Sequence, residues 1–247
     1  MPNSWFQFKQ FMVRQDRCAM KVSTDACIQG AWAARYLQRQ AGPLHVLDIG
    51  TGTGLLSLML AQEAPQAQFL AIELHEAACK QAAENFAASP WADRLQAHHT
   101  ALNDLAAKPE HHTRYDFIIC NPPFFHNHLA AKEAQRNDAR HSAALDKPAL
   151  AGAIAQLLGP SGTCCILYPA TEWSAWEQIA AAYGLYPHHV LEVQPSLQHR
   201  PNRVAGIFGR GPAADKEAAA SALVIYEPDR RYTTAFAALL RPYYLAL

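Results

Sequence analysis

Short apolar runs alternate with helix-length segments along this chain, and this alternation constrains the fold more than any other feature. The first run, Leu44–Ile49, ends at a cluster of glycines, and Leu55–Ala64 follows with apolar residues at helical spacing. The same strand-then-helix order recurs downstream. Because alternating strands and helices build parallel sheets with helices on both faces, the pattern predicts a doubly wound α/β fold.

The remaining predicted elements complete one sheet. We expect strands at Gln68–Leu74, Leu95–His99, Tyr115–Cys120 and Thr163–Tyr168, and helices at His75–Ala88, Pro148–Leu158 and Trp173–Tyr183. Three further strand candidates have no helix-length segment between them: Tyr186–Val193, Val204–Phe208 and Ala222–Tyr226. Their direct succession is typical of antiparallel strands. We therefore expect a single domain over 1–247, with a mostly parallel, Rossmann-like, seven-stranded sheet and antiparallel strands at its C-terminal edge.

Composition and charge argue against a disordered, a secreted or a membrane-spanning protein. Half of the residues are apolar and 17% are charged, as in folded globular chains, and 21 basic residues balance 21 acidic ones. A nucleic-acid partner would therefore need a local basic surface. The six cysteines form no C-x-x-C pair, which favours reduced core thiols and no metal site. The sequence shows no secretory signal and no apolar run long enough to cross a bilayer, so we expect a cytoplasmic protein with no membrane partner.

Three predicted strands end in distinctive residues. The first is followed by the glycine loop Asp48–Gly54, the second ends near Glu73, and the fourth is followed by Asn121-Pro122-Pro123-Phe124. Ligands of doubly wound folds bind beyond the carboxyl ends of the strands. All three features should therefore converge on one crevice.

The glycine loop favours a nucleoside ligand. Gly50 and Gly52 let the backbone turn sharply and let a ligand approach closely. Position 55 is leucine, so the loop departs from the G-x-G-x-x-G pattern that binds a pyrophosphate. Glu73 ends the next strand, where nucleotide sites place the carboxylate that accepts the ribose hydroxyls. The alternatives are a tight turn without a ligand and a solvated glutamate.

The turn Asn121–Phe124 has the chemistry of a receptor for a planar amino group. Its prolines fix φ and remove amide donors, which leaves carbonyl acceptors on a stiff loop. Asn121 adds a side-chain acceptor and Phe124 a flat face for stacking. Such a receptor fits the exocyclic amine of adenine, although the turn could also be purely structural.

These motifs resemble class I S-adenosylmethionine-dependent methyltransferases, and Asn121–Phe124 is similar to the catalytic tetrapeptide of the branch that methylates amino groups. A more specific similarity is carried by Phe6–Phe11, Asp16–Asp25, Gly30–Ala33 and Ser89–Ala92, and by Leu55–Gln62 after the glycine loop. They resemble the bacterial tRNA1(Val) adenine-N6 methyltransferase family along the length of the chain. The resemblance implies S-adenosylmethionine as cofactor and adenine-37, beside the anticodon, as target.

The resemblance also implies roles for individual residues. Asn121, Pro122 and Phe124 would hold the target base, and the segment 1–40 would contribute to both sites. The cofactor would be bound by Lys21, Thr24, Asp48, Gly50, Gly52, Glu73, Leu102 and Asn121. The chain has Leu102 where some relatives carry aspartate, and the tetrapeptide ends in Phe rather than Tyr. These departures leave the contact to the cofactor adenine and the identity of the base open.

Local clusters of basic residues predict the contact with the tRNA anticodon loop. Lys9, Arg14, Arg17 and Lys21 are interleaved with Phe6, Phe8 and Phe11, and Arg136 and Arg140 lie in a predicted substrate loop, 126–146. We expect a monomer. Two substrates compete with tRNA adenine for the same chemistry, namely RNA guanine at N2 and protein glutamine at N5. DNA adenine is a third, but the chain shows no room for the separate target-recognition domain that DNA enzymes usually carry. A nicotinamide-dependent oxidoreductase or a catalytically silent nucleoside-binding protein is the alternative from another class.

Overall fold

The computed structural model describes residues 3–40, 42–122, 146–212 and 219–247. Its strands are β1 Trp5–Gln7, β2 Met12–Arg14, β3 His45–Ile49, β4 Gln68–Glu73, β5 Leu95–His99, β6 Tyr115–Cys120, β7 Leu158–Pro169, β8 Leu185–Ser196, β9 Arg203–Arg210 and β10 Ala219–Tyr226. Its α-helices are α1 Thr24–Leu37, α2 Leu55–Glu63, α3 Glu76–Ala87, α4 Leu102–Ala106, α5 Lys147–Leu157, α6 Ala170–Ala182 and α7 Thr234–Leu240.

The main sheet has the order β10-β8-β9-β7-β6-β3-β4-β5. Strands β7, β6, β3, β4 and β5 run parallel to one another, which confirms the predicted mostly parallel α/β fold. Strand β9 is antiparallel to both β7 and β8, as expected near the C-terminal edge. Buried residues on the two faces form two core clusters, so the sheet is covered on both sides.

Strand β10 differs from the prediction. The sheet has eight strands in the described part of the chain rather than seven, and β10 pairs with β8 in parallel. The chain does reverse direction after β9, but β10 then pairs with β8 and not with β9. Because β8 is itself antiparallel to β9, this placement makes β10 parallel to its neighbour.

A two-stranded hairpin, formed by β1 and β2, precedes the main sheet and was not predicted. The rings of Phe8 and Phe11 are buried and stack with 4.6 Å between their centroids, while Phe6 packs partly buried against the same core. These aromatic residues stabilise the fold. The expectation that the rings belong to an RNA-binding surface is therefore wrong for Phe8 and Phe11.

All six cysteines are free, and all but Cys18 are buried, which confirms reduced core thiols for those five. Among the described residues, no helix has both the length and the apolar character that a membrane span requires.

Candidate active site

Asp48 lies in β3, next to its last residue, and is 1% exposed. Its Oδ2 accepts hydrogen bonds from the hydroxyls of Thr51 (2.6 Å) and Ser57 (2.7 Å). Its Oδ1 is buried and has no hydrogen-bond partner among the described residues. Burial raises the pKa of Asp48 to about 6, against the lowering effect of the two hydroxyls. The site therefore holds a buried carboxylate with one oxygen that no described residue satisfies.

The glycine loop that follows has the shape of a cradle. Gly50 and Gly52 have φ of 68° and 55°, in the left-handed region that favours glycine. A Cβ built at either position would meet no atom within 4 Å. The loop thus leaves open space above its backbone. Together with the unpartnered Asp48 oxygen, this space fits an elongated polar ligand such as S-adenosylmethionine.

Glu73 ends β4 and faces the same loop. Its Oε2 accepts from the backbone amide of Gly52 at 2.9 Å, and its Oε1 accepts from that of His75 at 3.0 Å. An ionised carboxylate has about four acceptor positions, so both oxygens keep capacity for ribose hydroxyls. The structure therefore brings Asp48, Gly52 and Glu73 together, as the strand-end argument predicted.

Asn121 follows β6 directly. Cys120, the last residue of β6, is in register with Ile49 of β3, so Asn121 lies beside the start of the glycine loop, about one strand spacing of 4.8 Å away. The Asn121 Oδ1 is buried and lacks a hydrogen-bond partner among the described residues. Buried polar atoms are normally satisfied. This atom is therefore a candidate acceptor for a substrate.

Gln29 of α1 supports the strand that carries Asn121. It is completely buried, and its Nε2 donates to the carbonyl oxygen of Cys120 at 2.9 Å. Sequence reasoning missed this residue, as it missed the hydroxyls of Thr51 and Ser57. A polar residue inside an otherwise apolar helical stretch was the available signal for Gln29.

The other predicted cofactor residues are more dispersed. Leu102 is the first residue of α4 and is buried, just beyond β5; Thr100 donates its backbone amide to the Glu73 carbonyl at 3.1 Å. Thr24 opens α1 and is exposed, and Lys21 is exposed with its Nζ 3.3 Å from the Asn3 carbonyl oxygen. Leu102 thus lies near the Glu73 side of the site, while Lys21 and Thr24 lie in the segment that enters α1.

The basic residues predicted to contact RNA have different surroundings. Lys9 donates its Nζ to the Arg241 carbonyl at 2.7 Å, Arg17 pairs with Glu84, and Arg14 is exposed. Pro122 is described and buried. Pro123, Phe124, Arg136 and Arg140, with nearly all of the predicted substrate loop 126–146, lie outside the described residues.

Comparisons with solved structures agree with the fold. A crystal structure from Agrobacterium tumefaciens, described as a predicted O-methyltransferase, aligns with a TM-score of 0.63 at 13% identity, covering 89% of this chain and 96% of that one. The geranyl diphosphate C-methyltransferase of Streptomyces coelicolor, solved with S-adenosyl-L-homocysteine, aligns with a TM-score of 0.52 at 13% identity, covering 73% of this chain and 78% of that one. At this identity the likeness extends to the fold alone.

Sequence comparisons are more specific. The family model "Methyltransferase small domain" matches residues 34–144. Three proteins named tRNA1(Val) (adenine(37)-N6)-methyltransferase align over 98% of this chain: those of Tolumonas auensis (40% identity, 97% of the relative), Dyadobacter fermentans (41%, 98%) and Flavobacterium psychrophilum (37%, 100%). With the strand-end crevice, the glycine cradle and the unpartnered Asn121 acceptor already in place, these full-length matches show that the chain belongs to the tRNA1(Val) (adenine(37)-N6)-methyltransferase family, whose cofactor is S-adenosylmethionine.

Proposed function

We propose that this protein transfers a methyl group from S-adenosylmethionine to N6 of an adenine in tRNA, namely adenine-37 of tRNA1(Val). The observation that carries the proposal is the buried, unpartnered Oδ1 of Asn121 beside the glycine loop. The names and full-length coverage of the relatives support tRNA as substrate and adenine as the base.

The cofactor is proposed to bind along the carboxyl edge of the sheet. Gly50 and Gly52 would border it, Glu73 would accept its ribose hydroxyls, and the free Oδ1 of Asp48 would face its positively charged methionine end. We assign the contact with its adenine to the backbone of Leu102. Lys21, Thr24 and Asn121 would complete the site on the side of α1 and β6.

The chain's role in the chemistry is to position the amine. S-adenosylmethionine supplies an electrophilic methyl group on a sulfonium, which leaves as a neutral thioether. The adenine amine is a poor nucleophile because its lone pair is delocalised into the ring. If the Oδ1 of Asn121 and the carbonyl of Pro122 each accept one amine hydrogen, the lone pair is directed toward the methyl group. We assign no general base, since the methylated nitrogen is acidic enough to lose its proton to water.

We propose that the substrate surface is formed by residues on both sides of the turn Asn121–Phe124 in the sequence. Phe124 would stack on the base, Arg136 and Arg140 would contact the anticodon loop from the segment after the turn, and Lys9, Arg14 and Arg17 would do so from the N-terminal segment. Basic side chains around a stacking ring are the usual means of holding single-stranded RNA. We expect the enzyme to act as a monomer in the cytoplasm, where tRNA is modified.

The test is to incubate the purified protein with methyl-labelled S-adenosylmethionine and unmodified tRNA, and then to identify the labelled nucleoside. We expect N6-methyladenosine in the tRNA1(Val) fraction, and no transfer to that tRNA when adenine-37 is replaced. Labelled N2-methylguanosine would contradict the assignment of the base. Label in a protein glutamine, with none in RNA, would contradict the assignment of tRNA as substrate.

A further inference from the structure

Asn85, on α3, is a buried polar residue that none of the roles above uses. It is 2% exposed, and its side-chain amide makes three hydrogen bonds to backbone groups. The Nδ2 donates to the carbonyls of Thr53 (2.8 Å) and Arg14 (2.9 Å), and the Oδ1 accepts from the Arg14 amide (2.9 Å). One side chain therefore connects the glycine loop with the N-terminal segment.

On the loop side, Asn85 holds the second half of the turn, whereas the amides of Gly50 and Thr51 in the first half bond the Ile72 carbonyl of β4. Residues 50, 52 and 54 are glycines with positive φ, so they contribute no side chains to hold the loop. Glu73 holds the Gly52 amide from β4, and Asn85 holds the Thr53 carbonyl from α3. The loop is thus anchored at two successive residues from two different elements.

On the N-terminal side, the Asn85 bonds hold Arg14. Arg14 is the first residue of the segment 14–22, which we call the N-terminal wall. Gln81 lies one helical turn before Asn85 and is also completely buried. Its Oε1 accepts from the Arg17 amide at 3.0 Å and its Nε2 donates to Asp16 at 2.7 Å. Two amide side chains on one face of α3 therefore fix the start of the wall.

The wall lies beside the loop that Glu73 holds, because Arg14 and Thr53 bond the same Asn85 side chain and Glu73 bonds the adjacent Gly52. Burial first, and the nearby Glu73 carboxylate second, raise the pKa of Cys18 to about 11. This effect of Glu73 on Cys18 agrees with the placement that the hydrogen bonds give. The position of the wall beside Glu73 depends on the Asn85 and Gln81 bonds, because Cys18 immediately follows the residues that they hold.

We propose that Asn85 is a positioning residue for the cofactor site: its amide fixes the N-terminal wall to the glycine loop, so that the two enclose the cofactor from opposite sides. This inference rests on the proposed placement of the cofactor. Loss of the amide removes the partner of one buried and two partly buried backbone groups, and the loop and the wall are then free to move relative to each other.

The test compares Asn85→Ala with Thr233→Ala. Thr233 is also buried and makes two hydrogen bonds, to Val224 and from Phe236. Val224 lies in β10, at the end of the sheet order opposite to β5, against which α3 packs. S-adenosylhomocysteine binding is measured by calorimetry, together with Tm, kcat and the KM for S-adenosylmethionine. We expect Asn85→Ala to raise the Kd and the KM about tenfold or more and to change kcat far less. Thr233→Ala should lose comparable Tm and keep the wild-type Kd.

A second variant covers the case in which Asn85→Ala does not fold. Gln81→Ala should raise the same Kd by a smaller factor, and it should expose the wall to trypsin at Arg14, Arg17 and Lys21 even when S-adenosylhomocysteine is present. A folded Asn85→Ala protein with a Kd within about twofold of wild type would overturn the proposal. So would wild-type affinity in Gln81→Ala if Asn85→Ala fails to fold. Absence of binding in the wild type would instead contradict the proposed cofactor site.

Discussion

Asp48 destabilises the fold through its charge and yet occupies the centre of the candidate site. Its carboxyl is buried and one oxygen has no partner, and the pKa of Asp48 is raised to about 6. A folded-state pKa above the unfolded value means that the native protein binds this proton more tightly. Stability is therefore lost as the pH rises from about 4 to 6, when the native carboxyl must ionise.

We predict that Asp48→Asn stabilises the protein without ligand at pH 8. The amide keeps an acceptor for Thr51 and Ser57 but removes the buried charge, which contributes about 3 kcal/mol of destabilisation. Urea unfolding at pH 4 and pH 8 measures the effect: the advantage of the variant should grow between these values. S-adenosylhomocysteine affinity should fall at least about tenfold, because the opposite charge is lost. Equal stability of both proteins at pH 8 would contradict this account of Asp48.

A second prediction concerns Asn121. Replacement by alanine removes the unpartnered acceptor and leaves the glycine loop and Glu73 in place. We expect Asn121→Ala to lower kcat by about two to three orders of magnitude, as removal of a positioned polar group does in other enzymes. Calorimetry with S-adenosylhomocysteine is the control and should show a far smaller loss, because Asn121 only adjoins a cofactor that the glycine loop and Glu73 hold. A parallel loss of cofactor affinity would identify the turn as scaffold rather than as base receptor.

At the scale of residues, the sequence predicted the positions of side chains correctly where the signal is local. Asp48, Glu73 and Asn121 each lie at or next to the end of an apolar run, and parallel strands bring such ends to one edge. Gln29 and Asn85 were missed because their partners are distant in sequence: Gln29 bonds Cys120, and Asn85 bonds Arg14. No periodicity in a single chain specifies such a pair.

The N-terminal hairpin shows the same limit at the scale of elements. Its strands are only three residues long, and its position depends on contacts with the far end of the chain, where the Lys9 amide donates to the Tyr243 carbonyl at 2.8 Å. Longer elements could be predicted because each contains its own pattern of burial. The direction of β10 could not, because it depends on which strand β10 pairs with rather than on its own residues.

We predict that Phe8 stabilises this hairpin and takes no part in RNA binding. Phe8 is completely buried between Phe11 and Phe6, whereas Trp5 in β1 is 46% exposed. Phe8→Ala should lower the free energy of unfolding by about 3 kcal/mol or more, and Trp5→Ala by much less. Urea titration measures both. If Phe8→Ala left stability unchanged and weakened tRNA binding, the ring would have to face the RNA instead of the core.

The distribution of charge becomes important at the scale of the whole molecule. The net charge is zero, so attraction to a polyanion must come from the arrangement of cations. Arg14 is exposed on the N-terminal wall, and the side chain of nearby Arg17 forms an exposed pair with Glu84, which stabilises the fold little. Arg114 is also exposed and precedes β6, so it lies at the edge formed by the amino ends of the parallel strands. The candidate site lies at the edge formed by their carboxyl ends, and Arg114 therefore offers a matched control.

We therefore predict that tRNA binding depends on salt because phosphates contact basic side chains on the edge that carries Arg14. A plot of log affinity against log salt should be steeply negative for the wild type, because bound phosphates release their counterions. Arg14→Ala should make the slope shallower by about 0.7 to 0.9, the loss of one phosphate contact, and should leave the affinity for S-adenosylhomocysteine unchanged. Arg114→Ala should keep the wild-type slope. An equal change in both variants would mean that the RNA responds to overall charge and not to a surface beside the active site, whereas a flat wild-type plot would exclude a phosphate-tracking surface on either edge.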